Sequence, residues 1–519
     1  VMLAVAGVAR RAAVAVPRVA RERPIALAAE PEGGRLLGDG RYVVPDFDSR
    51  KPFASFLPGV GGEWGKPMWA FYVNRGQGVA AFGVENKDGP LLEFEPANKA
   101  YADASFKGFR TMLKVSRRGR ATELAQPFFA PDDARANRTM IVGMNELELV
   151  EVDGAAGIET RVLYYTVPGE DFPALARRVT FTNVGRTRAE LEILDGLAKL
   201  EPFGVNSGML QAMGRTLEGW MRVYHCGRAE DSAVVEKAAC ELPYFKLSAS
   251  TADSAQVQAI EEGNFAFAFA EPAGGEPAAL LPMIVDPDVV FGRDTTLRAP
   301  EGFAAAASAA ALAAADEVKV SKTPCAFSAS AASLRPGASA TVTSLWGRAE
   351  SVAQLVDDVA PAALAPGFAA RKRAEAVALT ERLTAVVRSD TANPLFDAFS
   401  RQMMLDNLLR GGFPEFLGDA ENPKVYHTFS RIHGDLERDY NNFQIDATYY
   451  SQGSGNYRDV NQNRRVDVLL FPKVKDFNLR QFLTLKQADG YNPLTVATAF
   501  FSLAPVGSTD DAAARAAAA

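Results

Sequence analysis

Short alternating runs of apolar and polar residues fill the sequence between about positions 41 and 349. Glycine, proline and asparagine separate the runs. Because successive side chains of a strand point to opposite faces, such alternation predicts strands with one buried face. The clearest runs lie at 140–142, 161–165, 178–182, 190–194, 265–269 and 340–346. Their number predicts a large antiparallel β domain over 41–349, a sandwich in which two big sheets pack together, rather than a barrel.

One glycine-rich segment inside this region has the spacing of a nucleotide-binding motif. Gly76, Gly78 and Ala81 match the pattern G-x-G-x-x-A. That motif requires a helix after the glycines, whereas residues 82–90 continue as strand and turn. We therefore predict a β-hairpin at 74–76 and no dinucleotide site.

Three aromatic residues lie close together around this segment. Trp64, Trp69 and Tyr72 could form a surface on which sugar rings stack. Aromatic side chains this close in a β domain are more often part of the core, and we favour that interpretation.

The period of the apolar residues changes after Glu350. Apolar side chains recur at helical spacing over 352–359 and again over 368–387. This periodicity predicts a helical linker over 350–390 that joins two domains.

A second, helical domain is predicted to begin at 391. Residues 391–394 have the composition of a helix cap, and an amphipathic helix follows at 395–409. Another clear helix is predicted at 476–487. The segment 391–519 therefore reads as the beginning of a helical domain, so the fold class is multidomain β plus α.

The composition argues against several classes of partner. The chain has 519 residues, which is enough for two or more domains, and a formal net charge of −7. Nucleic-acid-binding proteins instead concentrate Lys and Arg on one face. The histidines, His225, His427 and His433, include no pair at metal-ligand spacing, and three cysteines are too few for a zinc site or a disulfide framework. We expect no nucleic acid, no metal and no cofactor.

The first 40 residues form a leader. Five arginines occur within the first 23 residues and no acid precedes Glu22, which is the charge balance of an organelle transit peptide, although the usual serines are missing. A disordered leader is the alternative. The alanine-rich run at 304–315 is too short and too weakly hydrophobic to cross a bilayer. The sequence therefore predicts a cytoplasmic or organellar protein with no membrane span.

The most polar part of the chain lies at 426–463. It combines charged, amide and aromatic side chains with almost no aliphatic residues. So many ionisable groups would cost too much desolvation free energy in a core element. The stretch therefore predicts a binding site.

Within this stretch, residues 449–463 read YYSQGSGNYRDVNQN. The segment resembles the Y-Q-x-G-G-x-x-G-F-R-D-x-x-Q-D segment of the cellobiose-phosphorylase-like inverting glycoside phosphorylases. Residues 59–101, together with 439–443 and 455–465, look closest to the β-1,3-glucan phosphorylase branch. The resemblance spans about 41–493. It implies a β-supersandwich, a helical linker and an (α/α)6 catalytic barrel, of which this chain holds the beginning.

The resemblance also implies roles for individual residues. Arg458 and Asp459 match the family's Arg-Asp pair, whose arginine helps to hold the glucosyl unit at subsite −1. Asn463 stands where cellobiose phosphorylases have a sugar-binding Asp. Because Asn offers a neutral donor and acceptor instead of a charged acceptor, we expect a preference for oligoglucan over cellobiose. The other predicted substrate-binding residues are Gln452, Tyr457 and Gln462. The alternative is that Arg458 and Asp459 form a structural ion pair at a helix start.

The chemistry of such a phosphorylase requires a phosphate site. One carboxylic acid protonates the glycosidic oxygen, while inorganic phosphate attacks the anomeric carbon from the opposite face. Cationic side chains must hold the phosphate, and Arg431, His433 and Arg438 are the candidates. A solvated loop with surface ion pairs to Asp435 and Glu437 is an equally good interpretation of these residues.

The family's general acid is an Asp beside a Trp, far downstream of the Arg-Asp pair. This chain has no Trp after Trp346, so we expect the acid beyond Ala519 and assign no catalytic residue. The predicted function of the parent protein is phosphorolysis of a β-linked glucan or oligoglucan to α-glucose 1-phosphate, a hexosyl transfer with inorganic phosphate as co-substrate. The alternatives are a glycoside hydrolase on the same barrel and a non-catalytic carbohydrate-binding remnant. A homodimer is left open.

Overall fold

A computed structural model describes residues 33–130, 136–225, 236–237, 241–250, 259–271, 278–418, 424–432 and 442–499. The described part of the chain begins with antiparallel sheets and continues with helices. It is thus a mixed β and α structure with large antiparallel sheets, as the alternating runs predict.

The strands, numbered in chain order, group into the sheets described below. They are β1 (Arg35–Leu36), β2 (Tyr42–Pro45), β3 (Ala54–Phe56), β4 (Trp69–Val73), β5 (Val79–Gly83), β6 (Pro90–Leu92), β7 (Phe109–Ser116), β8 (Glu123–Ala125), β9 (Ala136–Val142), β10 (Glu146–Asp153), β11 (Ile158–Thr166), β12 (Ala174–Asn183), β13 (Ala189–Leu197), β14 (Met221–His225), β15 (Glu236–Lys237), β16 (Pro243–Leu247), β17 (Gly263–Ala270), β18 (Ala279–Leu281), β19 (Met283–Ile284), β20 (Asp316–Glu317), β21 (Ala326–Leu334), β22 (Ser339–Ala349), β23 (Phe413–Leu417), β24 (Lys424–Thr428), β25 (Gly455–Asn456) and β26 (Thr495–Val496).

Two sheets dominate the β region. The larger has the order β1-β2-β9-β10-β11-β12-β22-β17-β16-β14, with β18 paired to β17, and the second has the order β19-β21-β13-β7-β8. A smaller sheet runs β3-β4-β5-β6. One hydrophobic core joins all three, since Val162 and Phe181 of the larger sheet are buried with Leu113 and Ile193 of the second and Phe82 of the third.

The larger sheet is buried on both faces around β17. Ala266 and Ala268 of this strand face the core between the sheets. Phe265, Phe267 and Phe269 belong to a second core, which also contains residues of the helices that follow the sheets. The expectation of one buried face is therefore wrong for 265–269, because small and large apolar side chains alternate there and the helices cover the large ones.

The glycine-rich segment forms the predicted hairpin. Strands β4 and β5 pair antiparallel, with Tyr72 opposite Val79, and the turn between them contains Gly76 and Gly78 at positive φ angles of 55° and 79°. A side chain with a Cβ atom is strained in that conformation, which explains both glycines. Strand β5 follows the glycines directly, and the hairpin prediction is confirmed.

A fully buried ion pair lies in the core between the two main sheets. Arg177 of β12 donates to Asp195 of β13, with the shortest N–O distance at 2.7 Å, and both side chains are inaccessible to solvent. The same guanidinium donates to the Tyr164 hydroxyl at 2.6 Å and to Gln77 Oε1 at 2.7 Å. Thr111 donates to Asp195 at 2.7 Å. This network ties three sheets together through one charged group.

The helices in the described ranges concentrate after the sheets. They are α1 (Ala97–Asp103), α2 (Ser207–Ala212), α3 (Pro287–Phe291), α4 (Glu301–Ala305), α5 (Ala309–Ala313), α6 (Val352–Gln354), α7 (Ala360–Leu364), α8 (Phe368–Thr384), α9 (Pro394–Gly411), α10 (Tyr457–Arg464), α11 (Asp467–Leu470) and α12 (Phe477–Thr484). A π-helical turn, Leu355–Val359, joins α6 to α7, and 3-10 turns lie at Phe47–Ser49, Gly214–Trp220, Ala385–Val387 and Pro472–Val474. None of the helices in these ranges is long and apolar enough to cross a membrane.

Helix α9 begins at its predicted cap. The Asn393 side chain accepts hydrogen bonds from the backbone N–H groups of Leu395 and Phe396 at 3.1 and 3.3 Å. These bonds satisfy two of the backbone donors that a helix start leaves without intrahelical partners. The predicted helices at 395–409 and 476–487 are present as α9 and α12. The (α/α)6 barrel stays a prediction.

Candidate functional site

The polar stretch begins in β24 and ends in α10, and its described residues between these elements lie beside the hairpin β23–β24. Ser430 O accepts from Gly453 N, and Ser451 O accepts from Phe429 N, each at 2.6 Å. Ile445 N donates to Glu85 O at 2.9 Å, which fixes the segment to the smaller sheet. The stretch therefore lies where the β region meets the helices, and its backbone is held by both.

Helix α10 carries the Arg-Asp pair and is anchored from its other side. Tyr457 is buried, packs against the Phe482 ring and donates its hydroxyl proton to the Phe482 backbone oxygen at 3.0 Å. Val460 is buried in the same small core. The helix thus fixes the position of Arg458 and Asp459 without using their side chains in its core. Tyr457 itself belongs to this packing.

Arg458 and Asp459 form an ion pair at the start of α10. Arg458 Nε lies 3.1 Å from Asp459 Oδ1, and the Arg458 side chain is 52% exposed. Asn456 Nδ2 donates to Asp459 Oδ2 at 3.2 Å. The ion pair that the structural interpretation requires is therefore present. About half of the Arg458 side chain is nevertheless exposed to solvent. The role of the two residues in sugar binding stays a prediction.

Gln452 and Gln462 have different surroundings. Gln452 is buried, donates to the His427 backbone oxygen at 2.5 Å and accepts from Ala499 N at 2.9 Å. These bonds hold the segment to β24 and to the chain after β26. Gln462 lies on the exposed face of α10. Of these two predicted substrate-binding residues, Gln452 is therefore buried inside the protein and Gln462 lies at its surface.

Asn463 uses its side chain within its own helix. Its Nδ2 donates to the backbone oxygen of Asp459, one turn earlier, at 2.7 Å. Asn407 Nδ2 in α9 donates to the Asn463 backbone oxygen at 3.3 Å. The residue therefore stabilises α10 and its packing on α9, a function that the resemblance did not imply.

Asn463→Asp is expected to lower the free energy of unfolding by about 1–2 kcal/mol, because an ionised carboxylate cannot donate to the Asp459 oxygen and is disfavoured in the last turn of a helix. Gln462→Glu adds the same charge on the exposed face of that turn and should cost about 0.5 kcal/mol or less. Urea denaturation of both variants measures the difference. Equal losses would show that the Asn463 bond contributes nothing.

Arg431 is buried beside the smaller sheet. Its side chain donates through Nη1 to the Pro58 backbone oxygen, and its backbone N–H donates to Leu409 O at 3.0 Å. Burial lowers the pKa of Arg431 to about 10, which leaves the group charged at neutral pH. With 8% of the residue exposed, the solvated-loop interpretation is wrong for Arg431. The other phosphate candidates, His433 and Arg438, lie outside the described residues, as do Asp435 and Glu437.

A cleft of about 1230 Å³ separates the larger sheet from α8 and α9. Arg431 lines it, together with Arg41, Arg373, Phe399 and Gln444. In the wall of the cleft, Arg373 of α8 donates two hydrogen bonds, of 2.8 and 3.0 Å, to the Glu146 carboxylate of β10. Of the described residues, those predicted to bind sugar on α10 do not line this cleft. The phosphate candidate Arg431 thus lines the cleft and the Arg458–Asp459 pair does not, although Arg431 and Asn463 both contact the last residues of α9.

A buried polar network behind α10 escaped the sequence analysis. His427 Nε2 lies 2.9 Å from Asp467 Oδ2, and Asn478 Nδ2 donates to the same carboxylate oxygen at 2.9 Å. Arg464 donates to Gly411 O at 2.5 Å and to Gln481 Oε1 at 3.0 Å. Burial lowers the pKa of His427 to about 4, and the nearby Arg464 charge acts in the same direction. The network positions α10, and no sequence signal linked His427 to a partner 40 residues away.

The described residues contain no group of three or more His, Cys, Asp or Glu side chains that could hold a metal ion. Chemically, the arrangement offers a half-exposed guanidinium next to a mostly buried carboxylate at the start of α10. Such a pair can donate to and accept from the hydroxyls of a neutral polar ligand.

Comparisons with known proteins give only remote likenesses. No protein-family model matches the chain, and a comparison with curated proteins finds no match. Among solved structures, a bacterial glucoamylase in complex with acarbose has a TM-score of 0.37 and 10% identity, covering 86% of this chain and 52% of its own. A galactose mutarotase-like protein from Clostridium acetobutylicum has a TM-score of 0.31 and 8% identity, covering 59% and 98%.

A protein described as a kojibiose phosphorylase from the human microbiome has a TM-score of 0.24 and 6% identity, covering 72% of this chain and 33% of its own. The chain therefore spans about half of the glucoamylase and a third of this phosphorylase. These structures are carbohydrate-active proteins by their names, but at such scores the likeness assigns neither a family nor a reaction to this chain.

Proposed function

We propose that the complete protein is an inverting phosphorylase that converts a β-linked glucan or oligoglucan and inorganic phosphate into α-glucose 1-phosphate and a shortened glucan. The observation that carries the proposal is the segment 449–463, whose Arg458 side chain stands half exposed beside Asp459 at the start of an anchored helix. A guanidinium and a carboxylate held there can bind the hydroxyls of a glucosyl unit at subsite −1.

In the proposed reaction, the residues of this chain bind and orient the glucosyl unit and the phosphate. Arg458 would hold the glucosyl unit by donating charge-assisted hydrogen bonds to its hydroxyl oxygens, which orients the ring for attack by phosphate. Phosphate oxygen forms the new bond to the anomeric carbon while the glycosidic C–O bond breaks, and the proton for the leaving oxygen comes from a carboxylic acid. No residue of this chain is assigned as that acid. Arg431 remains the described candidate for a phosphate contact.

The product of the complete protein decides between this proposal and its alternatives. Incubation with laminari-oligosaccharides and inorganic phosphate is expected to release α-glucose 1-phosphate, and omitting phosphate should stop the reaction. Release of free glucose without phosphate would instead establish a glycoside hydrolase. Retention on a β-glucan without either product would establish a carbohydrate-binding protein.

Arg458→Ala in the complete protein is expected to lower kcat/KM for phosphorolysis about a hundredfold, or about 3 kcal/mol, because it removes charge-assisted hydrogen bonds to sugar hydroxyls. Stability should change by less than about 1 kcal/mol, since exposed ion pairs contribute little. Initial rates of glucose 1-phosphate release, with thermal unfolding of the same samples, measure both effects.

Arg480→Ala is the matched control for this prediction. Arg480 lies in α12 and makes an exposed ion pair with Asp476, at 2.8 and 2.7 Å from its Nε and Nη2. It should leave the rate unchanged. If Arg458→Ala unfolds early but its folded fraction keeps normal specific activity, the Arg458–Asp459 pair is structural and the assigned subsite is wrong.

A further inference from the structure

An exposed group of aromatic rings lies where the glycine-rich loop 57–66 meets the segment before α10. We name Trp64, Tyr426, Tyr449 and Tyr450 the aromatic cluster. Trp64 is 65% exposed and Tyr449 is 42% exposed. The Trp64 ring centroid lies 5.9 Å from that of Tyr449 and 5.1 Å from that of Tyr450, and the rings of Tyr426 and Tyr450 are 6.3 Å apart. Trp69 and Tyr72 are buried, so the core interpretation holds for them and is wrong for Trp64.

The loop that carries Trp64 is fixed on both sides. Gly61 O accepts from Gly169 N at 2.8 Å, and Lys66 N donates to Glu170 O at 3.0 Å. A Cβ atom on Gly65 would lie 2.5 Å from the backbone nitrogen of Gly169, so only glycine allows this close approach. Val60 is buried between α8 and α9. The exposure of Trp64 is therefore a property of a rigid loop.

The tyrosines of the aromatic cluster are also held by hydrogen bonds. Tyr450 N donates to Glu63 O at 2.7 Å, and Tyr426 donates its hydroxyl proton to Tyr450 O at 3.0 Å. Tyr450 adopts a left-handed backbone conformation, with φ at 48°, which costs a non-glycine residue about 1 kcal/mol or more. The surrounding hydrogen bonds maintain this strained conformation, and it sets the Tyr450 ring against Trp64.

Polar groups surround the rings. Glu63 pairs with Arg382 at 2.5 Å and neighbours Glu415, whose pKa is raised by burial and by the Glu63 carboxylate. Glu415 Oε1 is buried and makes no hydrogen bond in the described structure. Asp171 is hydrogen-bonded to the Tyr449 hydroxyl and lies 2.9 Å from Lys66. Carboxyl oxygens thus lie next to Trp64 in the chain, at Glu63, and at the Tyr449 hydroxyl, through Asp171.

We propose that the aromatic cluster binds pyranose rings of a β-glucan chain, with Trp64 as the main stacking surface, at a position apart from the Arg458–Asp459 pair. A pyranose ring offers an apolar C–H face and a rim of hydroxyls, which fits exposed aromatic rings with carboxyl oxygens beside them. The same carboxylates would repel an anionic membrane surface. The glucan as ligand class rests on the proposed function, whereas the binding surface rests on the geometry alone.

Trp64→Ala is expected to weaken binding of laminarihexaose to the complete protein at least about tenfold, or about 1.4 kcal/mol, because it removes the main aromatic stacking surface. Isothermal titration calorimetry measures the affinity, and retention in gels that contain laminarin gives a second reading. Tyr449→Ala should also weaken binding, and Trp64→Phe, which keeps a smaller ring, should lie between wild type and Trp64→Ala. Phe396→Ala removes a 53% exposed aromatic ring from α9 and should leave the affinity unchanged.

The outcomes separate this proposal from the proposed function. Loss of laminarihexaose binding in Trp64→Ala, with or without phosphorolysis by the wild type, supports the aromatic cluster as a glucan-binding surface. Equal affinities of wild type, Trp64→Ala and Tyr449→Ala overturn it, even if phosphorolysis occurs. A wild type that binds no laminarihexaose overturns it as well. Circular dichroism of each variant shows that the comparison is made between folded proteins.

Discussion

Arg177→Met is expected to lower the free energy of unfolding by about 4 kcal/mol. The substitution leaves the Asp195 carboxylate fully buried without its cation, and breaking one partner out of a buried ion pair typically costs 3–5 kcal/mol. It also removes the donor to Tyr164 and Gln77. Urea denaturation followed by circular dichroism of the β structure measures the loss.

The neighbouring residue supplies a matched control. Arg178, next in β12, is 33% exposed and makes a two-bond pair with Glu271 at 2.8 and 2.6 Å. Arg178→Met removes the same charge from the same strand and should cost about 1 kcal/mol or less. A combined Arg177→Met and Asp195→Leu variant should recover part of the loss, because it removes the uncompensated carboxylate. A cost for Arg177→Met no larger than that for Arg178→Met would contradict the role given to this network.

The β region could be predicted because strand periodicity is a local property. The run 178–182 lies inside β12 and the run 340–346 inside β22, and both alternate because one side of each strand faces the core between the sheets. The surroundings of 265–269 could not be predicted in the same way. Its alternation of Phe and Ala has the strand period, but only the tertiary packing of α6 to α8 shows that its phenylalanines are buried as well.

Whether each aromatic residue is exposed or buried also depends on the tertiary structure. Trp64 and Trp69 are five positions apart, and the sequence gives no signal that one is exposed and the other buried. The difference arises from the contact between the loop at Gly61 and the backbone at Gly169, more than a hundred residues away. Gly65 marks that contact, since any larger residue would meet the Gly169 backbone.

At the candidate site, the sequence indicated the residue types but not their partners. A helix start at Arg458 entered only with the alternative that Arg458 and Asp459 form a structural ion pair, and the structure places the pair at the start of α10. The buried bonds of Gln452 and Asn463 could not, because amide side chains serve ligand binding and backbone satisfaction equally well. Which of these functions an amide performs is decided by what packs around it, here His427 O for Gln452 and Asp459 O for Asn463.

His427 is expected to make the protein less stable in acid. Its imidazole is buried and neutral in the folded state, with a pKa of about 4, because burial and the Arg464 charge outweigh the attraction of Asp467. In the unfolded chain a histidine has a pKa near 6.5. Between these two values the unfolded state binds a proton that the folded state does not, so the free energy of unfolding falls by about 1.4 kcal/mol per pH unit. Above about pH 6.5 His427 does not lower the free energy of unfolding. Between about pH 6.5 and pH 4 its protonation in the unfolded state lowers that free energy by about 3 kcal/mol.

His427→Gln isolates this contribution, because Gln retains an amide donor for Asp467 but does not titrate. Other groups also change protonation in this range, so the informative quantity is the stability of wild type minus that of the variant. That difference should fall by about 3 kcal/mol between pH 7 and pH 4, whichever protein is the more stable at neutral pH. Thr428→Ser is the control, a buried substitution at the next position that adds or removes no titrating group. Its free energy of unfolding should differ from that of wild type by the same amount at every pH. Parallel curves for wild type and His427→Gln would mean that the imidazole gains its proton in the folded state too, with the Asp467 carboxylate close enough in energy to offset burial. In that case a charged pair would join β24 to α11, the helix that follows α10, and acid would not loosen this contact.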